Sequence, residues 1–203
     1  MTRIGILGAG ALGRALARMA VAAGHEVRIA GSGDPKFIAL SVQIEAPGAI
    51  ATTSEDAVAD AGLAVLAVPL HRVHDLPPLG GLTVVDAMNY WAAVDGELPE
   101  FADHPGGTSV AVASALVGAR LVKSLNHVSA ADLLRHSRDQ RRVAIGVASN
   151  HEPSAHAVVD FVSQLGFEPV AIGGLDRGVE LQPGSAVFGH ALTREAFLRA
   201  VSG

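Results

Sequence analysis

A doubly wound α/β fold with a mostly parallel sheet is what this sequence predicts, and three observations carry it. A short apolar run, Arg3-Ile4-Gly5-Ile6-Leu7, meets Gly8-Ala9-Gly10-Ala11-Leu12-Gly13 and continues into the helix-forming Arg14-Ala15-Leu16-Ala17-Arg18-Met19-Ala20. A second strand-like run, Glu26-Val27-Arg28-Ile29-Ala30, follows after Gly24-His25 and completes a βαβ unit. Beyond it, apolar runs and helical stretches keep alternating, which is the pattern of a parallel sheet covered on both faces.

Taken in order, Gly31-Ser32-Gly33-Asp34-Pro35 is a loop and residues 36–45 read as a helix. Residues 49–52 form a short strand, and Ser54 is placed to cap a helix over 55–61. Leu63-Ala64-Val65-Leu66-Ala67-Val68 is apolar throughout, as a strand buried on both sides should be. Pro69 ends it, residues 71–76 make a short helix, and 82–86 are the next strand, followed by the loop Ala87-Met88-Asn89-Tyr90-Trp91. The segment 99–107, with Pro, Gly and Asp, reads as a loop. Further helices are expected at 108–116, 129–136 and 152–165, and further strands at 120–125, 142–148 and 167–172. The last of these strands contains Pro169 and so belongs at an edge. A closing helix is expected over 185–201. The architecture is a Rossmann-type, doubly wound, mostly parallel sheet of about eight strands, formed by residues 1–203 as one domain with a short helical C-terminal end from about 183.

Composition narrows the function. With 49% hydrophobic and 17% charged residues, the chain fills a sizeable core. A net charge of −5 with no long basic run argues against nucleic acid as a partner. The absence of cysteine removes disulfides, thiolate catalysis and cysteine-ligated metals. Met1-Thr2-Arg3 leads straight into a strand, and no apolar run approaches the ~20 residues that span a bilayer. A cytoplasmic protein with no membrane partner is the expectation.

The glycine pattern means dinucleotide binding when a strand precedes it and a helix follows, as here. Gly8 allows the tight turn, Gly10 lets backbone approach a pyrophosphate, and Gly13 lets helix and strand pack closely. Free N–H groups of the helix's first turn then face the phosphates. At the tip of the second strand, Ala30, Gly31 and Ser32 stand where NAD-type sites place a carboxylate, so a 2′-phosphate meets no repulsion. Ser32 and loop N–H groups supply donors and Lys36 supplies charge, which favours NADP(H); Asp34 is positioned to curl back and favour NAD instead.

Few residues suggest acid–base chemistry. His71 and His74 share a helical face but have no third partner at metal-binding spacing, so solvated or structural roles are expected. Asn126 and His127 follow a strand and point toward the crevice, where His127 is a candidate general acid or base. Tyr90 and Trp91, the chain's single Tyr and Trp, either form a flat wall for a planar ring or cover the core. No metal site and no catalytic side chain is assigned. Hydride transfer between two organic cofactors asks for little more than their close placement.

The glycine fingerprint, Val68-Pro69, Val84-Val85-Asp86-Ala87-Met88-Asn89, Val122-Lys123-Ser124-Leu125-Asn126-His127 and Leu165-Gly166-Phe167-Glu168-Pro169-Val170 occur together in this order. In them the chain resembles, over essentially its full length, the NADPH-dependent coenzyme F420 reductases (F420:NADP oxidoreductases). The resemblance implies that NADPH lies across the strand ends with the deazaflavin ring of F420, the small-molecule acceptor, stacked near its nicotinamide. It implies that Gly8, Ala9, Gly10, Ala11 and Leu12 hold the pyrophosphate and that Gly31, Ser32 and Lys36 face the 2′-phosphate. Val68, Arg72, Asn89 and Ala130 then flank the rest of the dinucleotide, and a homodimer is implied as well. Three positions depart from the family's pattern: Gly31-Ser32 replaces a usual Ser-Arg or Thr-Arg, and Ala9 replaces a Thr. The part from Leu181 onward is also short beside the family. Two other readings stand beside this one, a small dehydrogenase of the hydroxyacid or imine reductase type and a non-catalytic NADP-binding regulator.

Overall fold

The computed structural model describes residues 2–137, 139 and 142–202. Met1, Arg138, Gln140, Arg141 and Gly203 lie outside the described residues, and with them the expected lead from Met1 into the first strand. Eight strands form one sheet: β1 (Arg3–Leu7), β2 (Glu26–Ala30), β3 (Ile50–Ala51), β4 (Leu63–Leu66), β5 (Thr83–Asp86), β6 (Arg120–Ser124), β7 (Ala144–Ala148) and β8 (Glu168–Gly173). Their order is β3-β2-β1-β4-β5-β6-β7-β8, and every neighbouring pair is parallel except β6 with β7.

The order reverses direction between β1 and β4, which opens a crevice beyond their carboxyl ends. Register makes those ends level: Leu7 pairs with Ala30 and with Leu66, Leu66 with Asp86, and Asp86 with Lys123. The loops after β1, β2, β4, β5 and β6 therefore emerge on one rim.

Alternation along each strand builds two cores. Ile4, Ile6, Val65, Val85 and Val122 face one side, where they pack with Leu16 and Ala20 of α1 (Ala11–Ala22) and Val158, Phe161 and Val162 of α8 (Glu152–Gln164). Leu7, Ala64, Leu66, Val84 and Leu121 face the other, against Val73, Phe101 and Val112. Both faces being covered is why the strands read as unbroken apolar runs.

The remaining helices are α2 (Lys36–Glu45), α3 (Ser54–Val58), α4 (Ala92–Asp95), α5 (Pro99–Ala102), α6 (Thr108–Ala115), α7 (Ala130–His136) and α9 (Arg194–Val201), with 3-10 turns at Leu70–Asp75 and Leu175–Leu181. Three local expectations are corrected. The segment expected as a loop over 99–107 begins with α5, whose Pro99 sits in the first turn, where its missing N–H costs nothing. The cap of α3 is Thr53, whose hydroxyl accepts the Asp56 N–H at 3.2 Å, rather than Ser54. The closing helix starts at Arg194 and not at 185, because Gly184 and Gly189 adopt φ of +92° and +79° and Thr193 caps the helix that follows. The stretch before it instead lays Leu181 and Val187 against Ala144, Val170 and Phe197, a third apolar cluster beside β7 and β8. Among the described residues no helix is long and apolar enough to cross a membrane.

Candidate functional site

The turn from β1 into α1 is shaped by what its glycines avoid. Gly8 has φ +118°, and a Cβ there would lie 2.2 Å from the Ala67 carbonyl oxygen; one on Gly13 would lie 1.8 Å from the Gly8 carbonyl oxygen. These two positions let the β4 loop and α1 close onto the turn. Gly10 differs: a Cβ on it would meet nothing within 4 Å. It is the N-cap of α1 and offers no side chain to the helix's first N–H groups, and no acidic residue lies in the first turn. The unsatisfied donors and the positive end of the helix therefore face open space, the arrangement that receives a phosphate.

That space belongs to a cavity of about 420 Å³ at the switch point, lined by Leu7, Gly8, Ala9, Gly10, Ala30, Gly31, Ser32, Ile38, Ser54, Val68, His71, Arg72, Asp75 and others. Of the residues named from the sequence, it brings together Gly8, Ala9, Gly10, Gly31, Ser32, Val68 and Arg72. Ala11 and Leu12 are the first residues of α1 just behind it. Lys36 stands outside, its side chain 89% exposed and its Nζ 3.6 Å from Asp34. Asp34 does not curl back to the strand tip, since its Oδ1 accepts the Lys36 backbone N–H at 2.9 Å. Ala130 opens α7, which packs against α1. A second cavity of similar volume lies at the other end of α1, bordered by the carboxyl ends of α1 and α8 and the Gly166 turn, with no helix N-terminus facing it.

Asn89 lies beyond β5, tied into a buried polar network. Its Nδ2 donates to the Asn126 carbonyl at 2.9 Å; Asn126 Nδ2 in turn donates to Asn89 Oδ1 at 2.8 Å and to the Leu181 carbonyl at 2.6 Å. Leu125, just before Asn126, holds φ +63°, an unfavourable conformation for a branched side chain that turns the β6 terminus into this network. Beneath it lies an ion pair with no exposure, Lys123 Nζ to Asp86 Oδ2 at 3.3 Å. Asp86 also accepts from Met88 N–H at 3.0 Å and from the Ser109 hydroxyl at 2.6 Å, and Lys123 donates to the Met88 carbonyl. Both backbone groups of Met88 are thus clamped, fixing where Asn89 starts. Burial pushes the Lys123 ammonium below its ordinary value, only partly opposed by Asp86.

His127 is not a crevice acid or base. It is 1% exposed, its Nε2 accepts the Gly146 N–H at 3.1 Å, and Nδ1 has no partner among the described residues. Burial, reinforced by the Lys123 charge, lowers its pKa to about 4. The unfolded chain therefore takes up the proton first as pH falls from 6.5, so stability is complete above that value and lost toward about pH 4. We expect an acid loss of up to roughly 3 kcal/mol from this residue. Urea unfolding at several pH values should show a flatter acid slope in His127→Asn than in the wild type; equal slopes would contradict a neutral buried His127.

Of the two aromatics, Tyr90 donates its hydroxyl to the Gly96 carbonyl at 2.9 Å, whereas Trp91 remains 47% exposed and meets Phe188 edge to face at 5.7 Å. Among the described residues no group of three ligating side chains includes His71 or His74. His71 is nonetheless more than a solvated residue: it lines the cavity and its Nδ1 lies 3.0 Å from Asp95 Oδ1. No local signal marks this pair, since Asp95 lies 24 residues further on and reaches His71 only through the fold.

The family model described as NADP oxidoreductase, coenzyme F420-dependent, matches residues 3–90. No curated protein matches the chain. Among solved structures, a hypothetical protein from Sinorhizobium meliloti is 30% identical, with 96% of each chain covered and a TM-score of 0.81. A proposed F420-dependent NADP reductase from Arthrobacter sp. FB24 is 20% identical, covering 96% of this chain and 100% of that one, with a TM-score of 0.73. An imine reductase from Pseudomonas sp. shares the fold at 18% identity and a TM-score of 0.60; 85% of this chain covers 56% of that one.

Proposed function

We propose, from the match of residues 3–90 to the family of coenzyme F420-dependent NADP oxidoreductases, that the chain transfers hydride between NADP(H) and coenzyme F420 or a related deazaflavin or flavin acceptor. The observation that carries the dinucleotide half is Gly10, where an uncapped helix terminus faces space that no protein atom fills. The backbone N–H groups of Ala11 and Leu12 bind the pyrophosphate, and Gly31, Ser32 and Arg72 border the adenosine side. When bound, the nicotinamide supplies or accepts the hydride, so the protein's task is placement and exclusion of water.

Support for the acceptor half is positional. Asn89 and Asn126 mark the end of the rim toward which the nicotinamide would extend, and they hold each other rigidly. Trp91, braced by Phe188 of the C-terminal segment, offers an exposed aromatic surface beside them. The deciding experiment mixes NADPH with F420 and follows deazaflavin absorbance together with dinucleotide binding. Loss of absorbance supports the proposal. Binding with no turnover of F420, flavin or quinone supports the regulator reading instead. Asn89→Ala should lower turnover about tenfold while NADPH affinity changes less than about twofold, because placement is lost and uniform binding is not. A loss confined to thermal stability would make Asn89 structural.

A further inference from the structure

Three ionisable side chains line the switch-point cavity among the described residues: His71, Arg72 and Asp75. The Arg72 guanidinium is engaged by Asp75, Nε to Oδ2 at 2.7 Å, and Lys36 points to solvent beside Asp34. The positive charge expected opposite a phosphate is therefore already shared with a carboxylate at both of these positions. His71 is differently placed. Its partner Asp95, in α4, has a side chain only 1% exposed, and both carboxylate oxygens are occupied: Oδ1 by the His71 backbone N–H at 3.1 Å and by Nδ1, Oδ2 by the Trp91 N–H at 2.8 Å. Burial pushes the Asp95 carboxyl up, but those backbone and imidazole hydrogen bonds outweigh it and keep it below the usual carboxylate value.

An ionised carboxylate only accepts, so Nδ1 carries the proton and the ring is fixed in that tautomer. Nε2 makes no hydrogen bond to protein among the described residues, and the side chain is 38% exposed at the cavity wall. In its imidazolium form the ring is balanced by Asp95 on one side, and its Nε2–H is open to an anionic oxygen on the other.

We propose that His71, positioned by Asp95, is a phosphate-contacting residue of the dinucleotide site. The inference rests on the NADP(H) reading above and adds to it a residue that neither the glycine motif nor the family resemblance names. Asp95 acts through His71 and is a positioning residue; Arg72 and Asp75 on the same turn are the other charged groups facing the imidazole from the cavity.

The test measures NADPH and NADH dissociation constants by nicotinamide fluorescence between about pH 5 and 8 for wild type, His71→Gln and Asp95→Asn. The expected wild-type result is an affinity about fivefold to tenfold higher at the acid end, the size of one charge-assisted hydrogen bond gained. Both variants should bind with little pH dependence and match wild type within about twofold at the alkaline end. Tightening of both nucleotides places the contact at the pyrophosphate, whereas tightening of NADPH alone places it at the 2′-phosphate. A His71→Gln protein that keeps the wild-type pH slope overturns the proposal. Wild type that binds neither nucleotide at any pH overturns the dinucleotide reading itself, a different failure. Melting temperatures of both variants separate lost binding from lost folding, and His71→Asn replaces His71→Gln should the latter prove unstable.

Discussion

Gly10→Val is expected to lower NADPH affinity by at least about a hundredfold while leaving the fold in place. The two halves of that expectation come from one measurement. A Cβ at Gly10 meets no atom within 4 Å among the described residues, and its φ of −73° is accessible to any residue. The substitution therefore costs the protein no more than about 1 kcal/mol at a helix cap. A bound pyrophosphate, however, would have to share that space with an isopropyl group and would lose its approach to the N–H groups of Ala11 and Leu12. Losing those contacts and adding a clash of about 1–3 kcal/mol together exceed the ~2.7 kcal/mol that a hundredfold requires. The other two glycines of the motif cannot provide this test. A Cβ at Gly8 or Gly13 runs into backbone oxygens at 2.2 Å and 1.8 Å, so those variants would lose binding by losing structure. Titration with NADPH, alongside a thermal melt, checks the prediction; unchanged affinity in a folded Gly10→Val protein would remove the cofactor assignment.

Much of this architecture was legible because its signals are local. Strand after strand is marked by a short apolar run, and the glycine turn is marked by a spacing that steric exclusion explains at Gly8 and Gly13. The legible part of the site is therefore its backbone part. What escaped is what the fold assembles from distant residues. Asp95 sits in a stretch with no pattern of its own and matters only because α4 returns to the 3-10 turn carrying His71. Lys123 reads as an ordinary strand residue, yet register sets it opposite Asp86 in the interior. His127 follows a strand end, as a crevice residue should, but β7 runs antiparallel there and brings the Gly146 N–H onto the ring's Nε2. Ala186, Ala191 and Leu192 favour a helix before α9, but Gly189 at positive φ and the extended Thr193 cap keep the chain out of it until Arg194.

The largest stability effect should come from the buried ion pair. Asp86→Asn keeps the shape and most acceptors but leaves the Lys123 ammonium without a countercharge in a site of zero exposure. Removing one partner of such a pair costs about 3–5 kcal/mol, and here the stranded group has already been pushed toward neutrality by burial. Lys123→Met is expected to cost less, because Asp86 retains the Met88 N–H and the Ser109 hydroxyl as donors. The diagnostic is the double variant, Asp86→Asn with Lys123→Met, which strands no charge and should be more stable than Asp86→Asn alone. Urea unfolding of the set checks this, and strictly additive losses would show that the two groups do not interact. Turnover adds a second readout. Lys123 and Asp86 hold the carbonyl and N–H of Met88, and Asn89 begins where Met88 ends. On the proposed function, a folded Lys123→Met protein should therefore bind NADPH normally and transfer hydride slowly, because the pair fixes where the Asn89 loop begins.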